Sequence, residues 1–334
     1  MNNVKNIKVL YTILILLLIG VFIISLIAGR YAISVREIVN ILKGSAKKMD
    51  ETVFFNIRLP RILCAGIIGA GLSVSGASYQ GIFRNPCVSP DILGASAGAG
   101  FGAVLALFLG VGSVYLSLIS FVTGIAAVGF TIFVAGFLNN GMNNSKMILI
   151  LCGMITTSLF QAFISMVKLV ADPYDTLPSI TFWLMGGFTY ITSDDVLLIL
   201  SVTMAGMIPL MLLRWRINLM TFSEEEAYSM GVNIKAIKYI TIICATLMSA
   251  IAVAKGGMIG WIGLVVPHFS RQIMGPDYKK MLPVSALLGA IFTIITDDFA
   301  RTFFAQELPI GILTALVGAP VFIYLLYQAK EGFS

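Results

Sequence analysis

Residues 9–27 form a run of 19 without a single charge. At about 1.5 Å per helical residue such a run spans the ~30 Å hydrocarbon core of a bilayer. One apolar run could be hidden inside a soluble protein, but a succession of them cannot. Further apolar stretches, punctuated by Gly, Pro, Asn or charge, fall at 60–82, 92–111, 113–138, 146–168, 194–213, 235–254, 258–274, 281–304 and 308–327. Only 11% of the 334 residues are charged and 58% are hydrophobic, whereas about a quarter of a soluble domain is charged. The expectation is an all-α integral membrane protein with about ten transmembrane helices, forming a single transmembrane domain over 1–334. No room is left for a soluble domain at either end. Lys5 and Lys8 precede the first run as in a signal peptide, but its length and the lack of a small-residue cleavage site mark a retained span.

An even span count puts both termini on one side. With that side cytoplasmic, 12 of the 22 Lys and Arg lie inside and 10 outside, a thin margin for the positive-inside rule. Seven of the ten outer cations crowd the first external loop: Arg30, Arg36, Lys43, Lys47, Lys48, Arg58 and Arg61. An acidic partner outside the cell would account for them, and nucleic acid need not be invoked. Cys64, Cys87, Cys152 and Cys244 lie in separate stretches without C-x-x-C spacing, so they suggest small packing residues rather than a disulfide framework or zinc site. Gly66, Gly69, Gly71, Gly76 and the run 94–102 read as close helix packing, because lipid tails give helices no hydrophobic drive to associate. The glycine run does not read as a phosphate loop: no G-x-x-x-x-G-K-[ST] occurs in the chain, so ATP hydrolysis would belong to another subunit.

The connection at 214–235 does not look like a tether. Ser223 followed by Glu226 is a capping box, Glu224 and Glu225 suit the positive end of a helix dipole, and Gly231 is a suitable stop. A cytoplasmic helix of about two turns follows, with Ala227 and Met230 on an apolar ridge. Two readings stand: a helix inserted into a cytoplasmic partner, or one lying on its own membrane domain.

These segments resemble the permease subunits of ATP-binding-cassette (ABC) importers for iron chelates, haem and cobalamin, the large ten-span type II importers. The resemblance runs nearly end to end. It is carried by Arg58-Leu59-Pro60-Arg61, Gly76-Ala77-Ser78-Tyr79-Gln80 with Arg84-Asn85-Pro86, and Pro90-Asp91-Ile92-Leu93-Gly94. Also present are Trp183-Leu184-Met185-Gly186-Gly187-Phe188, the Glu226-Ala227 and Gly231-Val232 pairs, Gly263-Leu264-Val265-Val266-Pro267-His268, Glu307-Leu308-Pro309-Ile310-Gly311, and Gly318-Ala319-Pro320. The resemblance implies a permease that is not itself an enzyme and binds no cofactor. It would work by ATP-driven alternating access in a prokaryotic cytoplasmic membrane, with both termini cytoplasmic. Implied partners are a second copy or a paralogous permease, two ATPase subunits carrying ATP and Mg, an extracytoplasmic substrate-binding protein, and the lipid bilayer. It places ATPase coupling at Ser223, Glu224, Glu225, Glu226, Ala227, Met230 and Gly231, binding-protein docking at Arg58, Arg61 and Arg301, and the cytoplasmic gate at Asn144 and Ser145. The turn at 139–146, Asn-Asn-Gly-Met-Asn-Asn-Ser-Lys, departs from the small hydroxyl residues common at that gate.

Asp297 and Asp298 stand at i,i+4 and i,i+3 to Arg301, on one face of a helix where they can pair. Charge inside a membrane is a functional suspect, so docking or local pairing competes with a proton relay. His268, the single histidine, reads as a structural hydrogen-bond donor or acceptor, since metal binding needs more ligands. Lys168, Asp172 and Asp175 read as solvated loop charge before a short helix reaching Phe188. The expected cargo is an iron-siderophore or haem; cobalamin is the near alternative. An ion-coupled secondary carrier is the rival from another class. A membrane-embedded enzyme would need clustered catalytic residues that the sequence does not show.

Overall fold

The computed structural model describes residues 2–138, 145–222, 224–303 and 306–331. Every described regular element is helical: α1 (Asn2–Ile27), α2 (Val35–Leu42), α3 (Lys48–Thr52), α4 (Leu59–Phe83), α5 (Ala95–Phe108), α6 (Ser113–Leu138), α7 (Ser145–Val170), α8 (Thr176–Leu184), α9 (Ser193–Leu219), α10 (Glu224–Ser229), α11 (Ile234–Gly256), α12 (Ile262–Met274), α13 (Tyr278–Thr302) and α14 (Ile310–Glu331). A π-helical turn, Val53–Arg58, leads into α4, and a 3₁₀ turn, Pro90–Leu93, precedes α5. All ten expected spans are helices: α1, α4, α5, α6, α7, α9, α11, α12, α13 and α14. Seven of the described helical segments are long and apolar enough to cross a bilayer.

The shortfalls are informative. Helix α5 starts at Ala95 rather than 92, behind Gly94 in a left-handed conformation (φ 87°), and α12 starts at Ile262 rather than 258, behind Trp261 at φ 69°. The Pro90 ring lies against Gly263, so the two interruptions meet inside the bundle. Irregular backbone at membrane depth is tolerated where protein buries it or where it lines a watery cavity. Helix α9 departs in the other direction. It runs on to Leu219, so residues 214–219 of the expected loop are helical, with Ile217 buried against α4 and α13.

Helix α4 is the hub, packed by α9, α11, α12 and α13, while α5–α8 form a second group reached through α11. Small residues make the hub possible. A Cβ placed at Gly69 would strike Thr293 Oγ1 and the Gly289 carbonyl, and one at Gly289 would strike Ser73 Oγ, so α4 and α13 touch backbone to backbone. In the second group Gly98 and Gly102 take Ala127 and Thr123 of α6 in the same way. The glycine run is therefore packing surface. At Gly76 a methyl would meet the Gly263 carbonyl, and no flexible side chain can yield there. Gly76→Ala is expected to cost at least about 3 kcal/mol, the top of the range for overpacking. Gly129→Ala on α6, where nothing lies within 4 Å, should be neutral or gain up to about 1 kcal/mol of helix propensity. Melting of the two purified variants in detergent separates these outcomes.

Candidate functional site

Two sites were expected at opposite ends of the bundle. Helix α9, 27 residues and about 40 Å long, begins at one and finishes at the other.

At the end where α1 and α13 finish and α4 begins lie Arg58, Arg61 and Arg301. The three arginines assigned to binding-protein docking are all buried, and each has an internal partner. Arg61 grips Asp297 through Nε (3.0 Å to both carboxylate oxygens) and Nη2 (2.8 Å), and its Nη1 reaches Glu307 at 3.0 Å. Glu307 also accepts a hydrogen bond from Thr189 Oγ1 at 2.9 Å. Arg301 donates to the Ser25 carbonyl and hydroxyl at 2.6 and 2.7 Å, pairs with Asp298, and lies 3.8 Å from Asp297. Arg58 donates to the carbonyls of Leu26 (2.6 Å), Ile27 (3.2 Å) and Tyr31 (2.7 Å). Arg58 and Arg301 thus satisfy the last carbonyls of α1, where cations also complement the helix dipole. Arg61 provides charge-assisted bonds that fasten α4, α13 and the 306–309 connection together, while Arg301 ties α13 to α1. The local pairing of Asp297 and Asp298 with Arg301 is present.

Glu307 and a second pair were not singled out from the sequence. Burial works against a charged Glu307, but neighbouring Arg61 and the Thr189 hydroxyl outweigh it and hold the carboxyl below its ordinary range. Lys255 at the end of α11 meets Asp195 at the start of α9 at 2.5 Å. Asp195 also closes a capping box with Thr192. Around this core, α2 and α3 fold over a small apolar cluster of Ile33, Ile41, Val53 and Phe54. They leave Arg36, Lys43, Lys47 and Lys48 exposed.

At the opposite end, Ala227 of α10 is fully buried against Met220, Val232 and Ile237. The apolar ridge is therefore divided. Ala227 seats the helix on its own domain, while Tyr228 (78% exposed) and Met230, with Phe222 upstream, face outward alongside Glu225 and Glu226. Gly231 ends the helix at φ 77°, its N–H on the Tyr228 carbonyl. Ser223 lies outside the described residues, as does the Glu224 side chain, so the expected capping box is not described. Of the two gate candidates, Asn144 lies outside the described residues. Ser145 is described only as the backbone start of α7.

Side chains clamp this connection to the bundle. Arg84 caps α4 in a left-handed conformation (φ 52°), uncommon for a residue with a Cβ, and its Nε donates to the Met220 carbonyl at 2.9 Å. Asn218 donates to Asp277 (2.8 Å) and accepts from the Tyr278 N–H (2.9 Å), binding the end of α9 to the start of α13. Arg271 of α12 reaches Gln80 of α4 at 2.9 Å. The short helix expected to reach Phe188 is α8, which stops at Leu184 before Gly186 in a left-handed conformation and is seated on α5 and α7 through Ile180 and Leu184. The expected hydrogen bond of His268 is not found: its Nε2 is buried with no hydrogen-bond partner among the described residues.

A family model, the FecCD transport family, matches residues 16–328. The chain belongs to that family. This FecCD-family chain is 40% identical to the molybdate import system permease protein MolB of Haemophilus influenzae, over 97% of both chains. It is 36% identical to a probable iron chelatin transport system permease protein of Helicobacter pylori (strain 26695), over 83% of both. Among solved structures it superimposes on a metal-chelate type ABC transporter in an inward-facing conformation with a TM-score of 0.87 at 38% identity, covering 96% of this chain and 99% of that one. The FecCD-family chain is thus a multi-span membrane permease of the bacterial ABC importer class.

Proposed function

We propose that this permease imports a metal chelate, with an iron-siderophore or haem as the first expectation. The single observation that carries the cargo is the likeness to the metal-chelate type transporter over nearly the whole length of both chains. In this reading two copies, or one with a paralogous permease, form the path in the cytoplasmic membrane with their termini inside. Two ATPase subunits, carrying the ATP and Mg, dock at the α10 end, and alternating access follows their hydrolysis cycle. Residues 214–235 are the coupling region. Its contact face is Glu225, Glu226, Tyr228 and Met230, with Ala227 and Gly231 holding the helix in place; Ser223, Glu224 and the gate residues Asn144 and Ser145 keep the roles the resemblance implies. The binding protein meets the arginine end. Exposed Arg36, Lys43, Lys47 and Lys48 supply its first contacts, and Arg58, Arg61 and Arg301 hold that surface in shape.

A second reading, an oxyanion cargo, is favoured by the 40% identity to the molybdate permease. Proteoliposomes containing the permease with its ATPase and binding-protein partners separate the two. Uptake of ferric siderophore, haem, cobalamin and molybdate is measured with and without ATP. ATP-dependent uptake of a ferric chelate or haem is the expected result. Molybdate or cobalamin uptake alone would overturn the cargo, and accumulation without ATP would overturn the importer mechanism.

A further inference from the structure

Helix α1 packs along α13 and only lightly on α4, while α9 packs on α4, α11 and α13. The gap left between α1 and α9 is a groove of about 410 Å³. Its floor and walls are side chains such as Leu18, Phe22, Leu63, Ile67, Met207 and Ile294, and no polar surface lines it. Toward the α10 end, exposed Ile15, Ile208 and Leu212 continue the apolar strip.

That strip ends on a basic and aromatic cluster carried by the same helices. Lys8, Arg214 and Lys279 are exposed and Lys280 half-buried. Lys279 Nζ sits 3.9 Å from the Trp215 ring centroid, and Tyr11 donates to the Lys280 carbonyl at 3.1 Å. Arg214 and Asp277 both lie within electrostatic range of the Tyr11 hydroxyl. Asp277 is the acidic group facing the cluster. It is engaged by Asn218, by the Lys279 N–H and, at 3.8 Å, by Lys280. The cluster therefore keeps a net positive charge, with a Trp and a Tyr at the level where such rings settle in a membrane interface.

We infer that this groove and cluster together form a binding site for one anionic phospholipid, its acyl chain between α1 and α9 and its phosphate among Lys8, Arg214, Lys279 and Lys280. The dimensions agree. Met207 lies about 10 Å along α9 from Arg214, as Leu18 does along α1 from Tyr11, and the chains of one leaflet are about 15 Å long, half the hydrocarbon core. At the other end Arg58, Arg61 and Arg301 are already bonded within the protein, and the exposed Arg36, Lys43, Lys47 and Lys48 are carried on or beside α2 and α3 rather than on the helices that line the groove. In a bilayer, unlike water, an open apolar groove is filled by lipid tails; the cations decide which headgroup comes with them. Each cation near the surface favours an anionic lipid about fivefold, so even with Asp277 offsetting one of them the cluster gives a preference of at least about tenfold. The site does not depend on which cargo is carried.

The test uses the full chain in nanodiscs of mixed phosphatidylglycerol and phosphatidylcholine, extracted in mild detergent and read by native mass spectrometry. Wild type is expected to retain phosphatidylglycerol at least about tenfold over phosphatidylcholine. The triple variant Arg214→Gln, Lys279→Gln, Lys280→Gln should approach parity, with Lys279→Arg and Lys280→Arg keeping the preference. Ala70→Phe, which fills the groove, should lower retention of both lipids. Competition by soluble glycerol phosphate should be weak. Equal retention by wild type, an unchanged preference in the folded triple variant, or displacement by glycerol phosphate alone would each overturn the proposal. So would a Met207→Cys chain that cross-links to a second copy in membranes, since a protein would then cover the groove.

Discussion

Arg61→Ala is expected to leave little folded permease. Asp297 is 1% exposed at its side chain and rests on Arg61 at 2.8 Å. The next cation, Arg301, is 3.8 Å away and already holds Asp298 and Ser25. Removing one partner of a buried pair strands the other, at about 3–5 kcal/mol, a large part of the ~5–15 kcal/mol that keeps a protein folded. Asp297→Ala should cost less, since Arg61 keeps Glu307. Glu307→Gln should cost least, because that carboxyl is 26% exposed at its side chain, Arg61 keeps Asp297, and ion pairs open to solvent contribute only about 0–1 kcal/mol. Arg61→Met with Asp297→Leu should recover most of the loss. A further check comes from pH. The Glu307 carboxyl is depressed when folded, so its contribution is complete above the unfolded pKa and fades as pH falls through the folded one; Glu307→Gln should remove that acid-sensitive part of the melting curve. An arginine serving as an exposed docking contact predicts the reverse order: a stable Arg61→Ala protein with weakened binding-protein affinity. Melting within 1 kcal/mol of wild type would show that the pair does not hold this end together.

The spans were legible because lipid imposes a coarse demand: about 20 apolar residues for each crossing. Residues 92–94 and 258–261 stayed hidden for the same reason. They are as apolar as the helices they adjoin, and hydropathy carries no information on the left-handed turns at Gly94 and Trp261. Residues 214–219 read as loop because Arg214 and Arg216 look like an exit from the membrane, yet long basic side chains leave the apolar surface while the backbone stays helical. The arginines illustrate a different limit. Charge counting identified a basic cluster, but the sequence does not say whether a cation is exposed or bonded to its own chain. The available signal was cost: Arg61 and Asp297 lie within apolar spans, where an unpaired charge is expensive, so each called for a partner. Glu307 lies outside any periodic element, and only the tertiary fold brings it to Arg61. For α10, a six-residue helix is too short for periodicity to decide which side faces inward, and Ala227 was placed on a ridge whose exposed part is carried by Tyr228 and Met230.

Tyr228→Ala combined with Glu225→Lys is expected to abolish ATP-driven uptake while leaving the permease folded. Both side chains face outward from α10, so neither change opens the bundle. Each removes part of the face proposed to enter the ATPase, and an exposed aromatic is the type of side chain that dominates such contacts. Ala227→Arg is a different experiment. It forces a long cation into a fully buried seat against Met220 and Ile237 and should unseat α10 itself, so it reports on the membrane domain rather than on docking. Arg84→Ala tests the step between docking and movement. Its guanidinium joins the end of α4 to the Met220 carbonyl, and a left-handed backbone is held there at some cost. If force from the ATPase passes through this clamp, Arg84→Ala keeps the ATPase bound and hydrolysing but moves several-fold less substrate per ATP, with partial recovery in Arg84→Lys. Three measurements on one preparation distinguish the variants: co-purification of the ATPase, hydrolysis rate, and uptake. The double variant should lose all three, and Arg84→Ala only the last. Normal co-purification and uptake with Tyr228→Ala and Glu225→Lys would exclude α10 as the docking helix. Equal losses of hydrolysis and uptake in Arg84→Ala would show that the clamp supports the docking surface and does not transmit its motion.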